Sequence, residues 1–322
     1  MRRLLAPLIL SLASCASTGA PSARDLAPIK IIPGYFGEAR APDGNTIVFE
    51  GRDGLAVVDT GRHPDHQEKI LAYARERGKP IAFLVNTHWH LDHSGGNAEI
   101  RAVHPGARLH ASNAVAAALE GFLARSLERA RARLADPKVP EAEKAEARLG
   151  VAAMEDRRNL LPDVAVTGPA TLDLGGRRLQ LRLARRAATE GDVWIYDPAT
   201  RTLVAGDLVV VPAPFFDTGC AQGWKAALED IDKVPFTTLV PGHGASMNRA
   251  RFTAYRHAFG RLADCADGGA AKEVCVDGWL RDAAEFLPAE QDRKDARALL
   301  DYYFAQVLRS PEKKAEFCGP QR

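Results

Sequence analysis

A chain of 322 residues, 46% of them apolar, is long enough to bury one large core or two small ones. Its 43 Lys and Arg nearly cancel its 41 Asp and Glu, leaving a formal net charge of +2. That balance gives no reason to expect a nucleic-acid partner, which usually goes with a marked basic excess.

The chain opens on MRRLLAPLILSLASC. Arg2 and Arg3 precede an apolar run, Leu4 to Leu12, that is too short to span a bilayer. Residues 1–14 therefore read as an export signal. Leu12-Ala13-Ser14-Cys15 resembles the lipobox of bacterial lipoproteins. That resemblance implies cleavage before Cys15 and a lipid on Cys15, which anchors the protein to the periplasmic side of a bacterial membrane. An ordinary secretory signal cut nearby is the alternative. Residues 15–28 are small and polar with two prolines, and read as a tether.

From residue 29 onward the elements alternate. NTIVFE and LAVVDT are β-rich runs joined by GRDG, a hairpin. HPDHQEKILAYARERG is helical, with Gly78 and Pro80 as stop signals. IAFLVN is a continuous apolar strand. NTHWHLDHSGG follows it directly, on a loop at the strand's C-terminal end, where open α/β sheets place ligands; Gly95-Gly96 is expected to turn the backbone tightly. Residues 112–161 read as two helices. Ser112 is the expected N-cap of the first, and Val115, Leu119, Leu123, Leu127 and Leu134 are its apolar stripe. Arg125, Arg129, Arg131 and Arg133 read as a solvated face. After Pro162 strands return: a hairpin about Gly175-Gly176, then DVWIYD and TLVAGD. A helix (223–234), a strand ending in TLVPGHG and C-terminal helices (about 249–310) complete the chain. Strand–helix layers thus occur twice, before and after the central helices.

Apart from Cys15 there are four cysteines. DCADGGAAKEVC is a short Gly-containing loop that can close on itself, which favours Cys265 with Cys275 and then Cys220 with Cys318. Free buried thiols are the alternative.

The histidine cluster carries the chemistry. His88, His90, Asp92 and His93 fall within six positions, and imidazole nitrogens with carboxylate oxygens are good zinc ligands. His88 and His90 alternate in an extended loop and can point one way, with Asp92 and His93 serving a neighbouring point. Together with GLAVVDTG (54–61), LVAGDLV (203–209) and LVPGHG (239–244), NTHWHLDHSGGN resembles the metallo-β-lactamase superfamily over about residues 29–260. The resemblance implies an α/β fold, a four-layer αββα sandwich with a helical insertion, in a domain covering 29–322. It matches His88 and His90 to ligands of a first metal, Asp92, His93 and His243 to ligands of a second, and Asp207 to the carboxylate between them. The family's usual Gly-His-Thr-x-Gly-Asp reads RAATEGD here, with Ala188 at the histidine's place. The first site is thus short of a ligand, for which His63, His66, His110, Glu190 and Cys220 are candidate replacements. The expectation is one zinc held firmly in the second site and partial or no occupancy in the first, with His88, His90 and Asp92 as catalytic candidates. Tyr35, Phe36, Trp89, Phe215 and Phe216 are candidate pocket residues. The expected activity is hydrolysis of a small-molecule ester, lactone, thioester or β-lactam-type carbonyl by an exported protein. A non-hydrolytic metal- or ligand-binding lipoprotein and an iron-dependent redox enzyme are the alternatives.

Overall fold

The computed structural model describes residues 29–37 and 40–319. The expected export signal, Cys15 and the tether lie outside the described residues. Among the described residues, twelve strands form two six-stranded sheets, each in chain order. The first holds β1 (Lys30–Ile32), β2 (Thr46–Gly51), β3 (Gly54–Val58), β4 (Ile81–Val85), β5 (Arg108–Ser112) and β6 (Val164–Val166). Its β1–β3 are antiparallel and β3–β6 parallel. The second holds β7 (Ala170–Asp173), β8 (Arg178–Arg185), β9 (Gly191–Asp197), β10 (Thr202–Val210), β11 (Thr238–His243) and β12 (Met247–Asn248). Here β10 and β11 are parallel and the other pairs antiparallel.

Alternation along the strands sorts the apolar residues into three layers of core. Ile47, Phe49, Ala56 and Val58 of the first sheet meet Leu181, Val193, Ile195 and Val204 of the second. Val48, Leu55, Val57 and Leu84 point the other way, onto α1 (Pro64–Arg77), the short α2 (Leu91–Ser94) being followed by α3 (Asn97–Val103) on the same side. Between β5 and β6 come α4 (Val115–Glu120), α5 (Phe122–Ala135) and α6 (Glu141–Glu155), which cover Trp89 and Ala111. The outer face of the second sheet lies under α7 (Ala221–Asp232), α8 (Arg249–Asp267), α9 (Lys272–Asp282), α10 (Glu290–Tyr303) and α11 (Pro311–Cys318). The order is helices, sheet, sheet, helices: a four-layer αββα sandwich.

Two local expectations are corrected. Ser112 does not cap a helix: residues 108–112 pair with β4 and β6, and the Ser112 hydroxyl accepts from the Ala114 amide after the strand has ended. The first helix of the insertion is broken at Gly121, whose amide bonds the carbonyls of Ala117 and Ala118 and closes α4, so that Phe122 and Leu123 can turn onto Trp89. Gly95 and Gly96 are also needed for a different reason than expected. Both have negative φ, and a Cβ at Gly96 would sit 2.6 Å from the Thr60 carbonyl; they allow close approach, not a left-handed turn.

Both disulfides, Cys265–Cys275 and Cys220–Cys318, are formed. The second ties α11 to the loop that precedes α7.

A buried arginine, ion-paired within the second sheet, also reaches across to the first. The Arg177 guanidinium donates to Asp197 Oδ2 at 2.7 Å and to the Glu50 carbonyl at 3.0 Å, and lies over the Phe49 ring, with both charged side chains fully buried. Asp197→Ala would leave a buried charge without its partner, and is expected to cost about 3–5 kcal/mol of unfolding free energy, read by urea denaturation.

The insertion is latched to the body by His63. Its Nδ1 lies 2.8 Å from Asp43 Oδ2 and its Nε2 3.0 Å from Glu146 Oε1 on α6. Burial disfavours the imidazolium, but hydrogen bonds to Asp43 and Glu146 raise the His63 pKa above its ordinary value of 6.5. A raised histidine pKa gives stability that is full below 6.5 and lost as pH rises through the folded value. The stability difference between wild type and His63→Gln should therefore shrink from pH 6 to pH 9. A difference that stays constant over that range would refute the latch.

Candidate metal centre

All six predicted donors meet where the two sheets face each other. His88 and His90 lie on the loop after β4, Asp92 and His93 on α2, Asp207 within β10, and His243 at the end of β11. Gly44 N bonds the Asp92 carbonyl within the first half, and two sets of cross-sheet bonds fix the meeting: Asn45 to the carbonyls of Pro241, Gly242 and Gly244, and Val193 N to the Thr87 carbonyl. Gly242 is required at its position because a Cβ there would run into the Asp207 carboxylate.

The donors form two groups, His88 with His90 and Asp207, and Asp92 with His93 and His243; within each, one ligand atom per residue lies within 4.8 Å of the others. Asp207 stands between the groups. Its Oδ2 is 3.6 Å from His88 Nε2, and its Oδ1 is 3.1 Å from His93 Nε2 and 3.6 Å from His243 Nε2. In the second group, His243 Nε2 is 3.1 Å from Asp92 Oδ2 and 3.2 Å from His93 Nε2.

Hydrogen bonds behind the donors decide which nitrogens face inward. Thr87 gives its single hydroxyl proton to Asp59 Oδ2 at 2.8 Å, so it can only accept from His88 Nδ1 at 3.1 Å. His88 Nε2 then carries a lone pair into the site. Thr218 gives its proton to the Ala188 carbonyl at 3.1 Å and accepts from His90 Nε2, also at 3.1 Å, leaving His90 Nδ1 as the inward atom. Asp59 Oδ2 accepts from His93 Nδ1 at 2.8 Å. Partners of this kind orient metal-binding imidazoles. Asp59 adopts a positive φ of 60° to serve both Thr87 and His93; the Asp within VDTG was the signal for it, while nothing local in the sequence marked Thr87 or Thr218.

The electrostatics fit a cation. Burial drives the pKa of His88 well down and that of His90 down, so both rings are neutral at pH 7. Burial also disfavours a charged His93, yet Asp207, Asp92 and Asp59 raise its pKa well above the ordinary value. His88 Nε2 and both carboxylate oxygens of Asp207 are buried without a hydrogen-bond partner. Buried polar atoms are normally satisfied, and orphans converging on one point from imidazole and carboxylate are the donor chemistry of a zinc-type ion.

Among the described residues, none of the five candidate replacements joins these groups. His63 is bound by Asp43 and Glu146, His66 Nε2 by Thr46, and Cys220 by its disulfide. His110 packs edge-on against Phe83, and Glu190 keeps one buried oxygen unpartnered away from the donors. Ala188 is buried and contributes its carbonyl through Thr218.

Beside the donors opens a cleft of about 530 Å³, lined by His90, Asp92, Phe36, Trp89, Phe122 and Phe215 among others. Phe36 and Phe215 flank His243, their ring centroids 6.3 and 5.3 Å from its own. Phe216 is not a pocket residue; it packs on Trp224 and Phe259 in the outer core. Tyr35 stands outside the cleft, under the Arg40 guanidinium.

A model of the metallo-beta-lactamase superfamily matches residues 39–243. The hydroxyacylglutathione hydrolase of Rhodospirillum rubrum is 47% identical over 47 residues, 15% of this chain and 17% of that protein. A linear primary-alkylsulfatase of Pseudomonas sp. is 44% identical over 50 residues, 15% of this chain and 10% of that protein. The matches span 10% to 25% of the length of these curated relatives. A solved stereoselective inverting sec-alkylsulfatase from Pseudomonas sp. shares the fold at 19% identity and a TM-score of 0.55, covering 84% of this chain and 49% of that one. The family match extends over more than half of the sequence and contains all six donors, so the chain belongs to the metallo-beta-lactamase superfamily.

Proposed function

We propose that this protein is an exported, lipid-anchored zinc hydrolase of a small molecule with an ester, lactone, thioester or β-lactam-type carbonyl. The observation that carries the reading is the convergence of six donors, five buried and His90 half-buried, with His88 Nε2 and the Asp207 oxygens lacking a hydrogen-bond partner, on the edge of an apolar cleft. Zinc, when bound, supplies hydroxide near neutral pH and polarises a carbonyl oxygen. Family membership and two relatives named as hydrolases or sulfatases support a hydrolytic use of these donors.

The chain's own residues divide the remaining work. Asp92, His93 and His243 with Asp207 form the fuller donor set and would hold the one firmly bound ion. His88 and His90, neutral and preset by Thr87 and Thr218, add two donors to the shared Asp207. When only the fuller set is filled, His88 Nε2 is free to take the proton of the attacking water. Phe36 and Phe215 shield His243 from solvent and give the substrate an apolar wall.

Metal content tests the donor assignment. After dialysis against low zinc, wild type should hold one zinc per chain by elemental mass spectrometry, and His243→Ala and Asp92→Ala should lose it together with chelator-sensitive hydrolysis. Ala188→His should raise the count toward two. Two tightly held ions in wild type would overturn the one-zinc reading, and iron in place of zinc would favour redox chemistry.

Export and anchoring are supported by the lipobox-like Leu12-Ala13-Ser14-Cys15 and by two disulfides, which persist in oxidising compartments. Cys15→Ser should move the protein from the membrane to the soluble fraction. Unchanged fractionation would sink the anchor.

A further inference from the structure

The cleft has two chemically different ends. Beside the donors its walls are Trp89, Leu91, Phe122 and Phe215; farther out, α5 presents Ser126, Arg129, Ala130 and Arg133. Spacings of three and four place these on one helix face. The arginine group that reads from sequence as a single solvated face is therefore split. Arg125 pairs with Glu316 and Arg131 with Glu155, while Arg129 and Arg133 line the cleft.

These cleft arginines lack counter-charges. Arg133 has no acceptor among the described residues, and Arg129 donates to the neutral Ser126 hydroxyl at 2.8 Å. Arg62, also in the lining, has a buried Nε with no partner. Elsewhere Arg101, Arg148, Arg157, Arg261 and Arg297 each pair with a carboxylate, whereas Arg201 and Arg293 bond only carbonyls; what distinguishes Arg129 and Arg133 is that they lack a carboxylate partner and also line the cleft beside the donors. The acids in the lining are engaged: Asp92 with His243, Glu146 with His63, and Asp217 with the Tyr303 hydroxyl.

We propose that the cleft selects substrates carrying an anionic group, a carboxylate or sulfonate, separated from the scissile carbonyl by a short apolar segment, and that Arg129 and Arg133 bind that anion. The proposal rests on reading the donor cluster as the hydrolytic centre. The spacing comes from the ring contacts. The Arg129 guanidinium carbon is 5.8 Å from the Phe122 ring, and that ring is 6.3 Å from the His90 ring. One aromatic ring thus separates the cation from the donors, and the apolar part of the substrate lies along Phe122 and Trp89. Arg133 is one turn farther along α5, within reach of a longer substrate. Its guanidinium fork suits a bidentate oxyanion.

The experiment uses metal-loaded protein and two readouts. Calorimetry compares octane-1-sulfonate, a weak metal ligand, with the neutral methyl octyl sulfone. Hydrolysis compares the mono-4-nitrophenyl ester of octanedioic acid with 4-nitrophenyl octanoate. The anionic member should be preferred by roughly 10- to 100-fold in Kd and in kcat/KM, as charge-assisted hydrogen bonds warrant. The preference should fall with added salt, and should approach one in Arg129→Gln/Arg133→Gln. Equal binding of sulfonate and sulfone by wild type, or an unchanged preference in the double variant, would overturn the proposal. If neither ester is hydrolysed, the hydrolytic reading fails, and the calorimetry still decides whether the arginines bind the anion.

Discussion

Negative charge is concentrated around His93. Three buried carboxylates, Asp59, Asp92 and Asp207, lie within 3.5 Å of its ring nitrogens. Burying a charge is costly unless it is paired, and the nearest arginine, Arg62, makes no ion pair with any of them. The arrangement therefore requires positive charge at its centre. A proton on His93 supplies one unit, and a divalent ion supplies two while also satisfying the orphaned oxygens of Asp207 and Nε2 of His88. The surrounding fold can be understood as the means of holding these carboxylates together. Two sheets meet so that β10 and β11 bring Asp207 and His243 against the loop that follows β4, and Asn45 stitches the first sheet to the C-terminal end of β11.

The insertion helices build the substrate side of this centre and not its donor set. Trp89 lies between the two roles: its neighbours His88 and His90 face the donors, while its own ring packs on Phe122 of α5 at 5.2 Å. Gly121 breaks the helix where it must for Phe122 to make that contact. His63, held by Asp43 from the first sheet's loop and by Glu146 from α6, fixes how far the insertion stands from the donors. The cleft's width therefore depends on an ion-pair latch well outside the donor cluster.

Much of the donor set was legible in the sequence because its chemistry is local: His88, His90, Asp92 and His93 share one loop, and Asp207 and His243 each follow a β run beside glycines. The αββα layering was legible through apolar periodicity and through the resemblance those motifs carry. What was not legible depends on distant contacts. Thr87 and Thr218 are ordinary residues until the fold sets one beside Asp59 and the other beside the Ala188 carbonyl. Ser112 looked like a cap because a short polar residue before an apolar helix usually is one; pairing of β5 with both neighbours overrode that local preference. Arg129 and Arg133 could not be told from Arg125 and Arg131 by sequence, since only the position of Glu316 and Glu155 on other helices decides which face is neutralised.

The alanine at position 188 changes what the first donor group can do, and its neighbours show how. A histidine there would contribute a third imidazole and leave His88 and His90 committed to metal. With alanine, position 188 acts through its carbonyl, which takes the Thr218 proton and so forces Thr218 to accept from His90 Nε2. His90 is thereby kept in one tautomer without being used up, and burial keeps it and His88 neutral. On the proposed one-ion reading, a pair of neutral, preset imidazoles beside that ion would be placed to accept a proton from the attacking water. On that reading, the absence of a donor at position 188 would weaken the first group as a metal site and, by the same geometry, leave its two histidines available as bases. The oriented hydroxyls of Thr87 and Thr218 serve either state of the pair, because each leaves an inward lone pair that a metal or a proton can take.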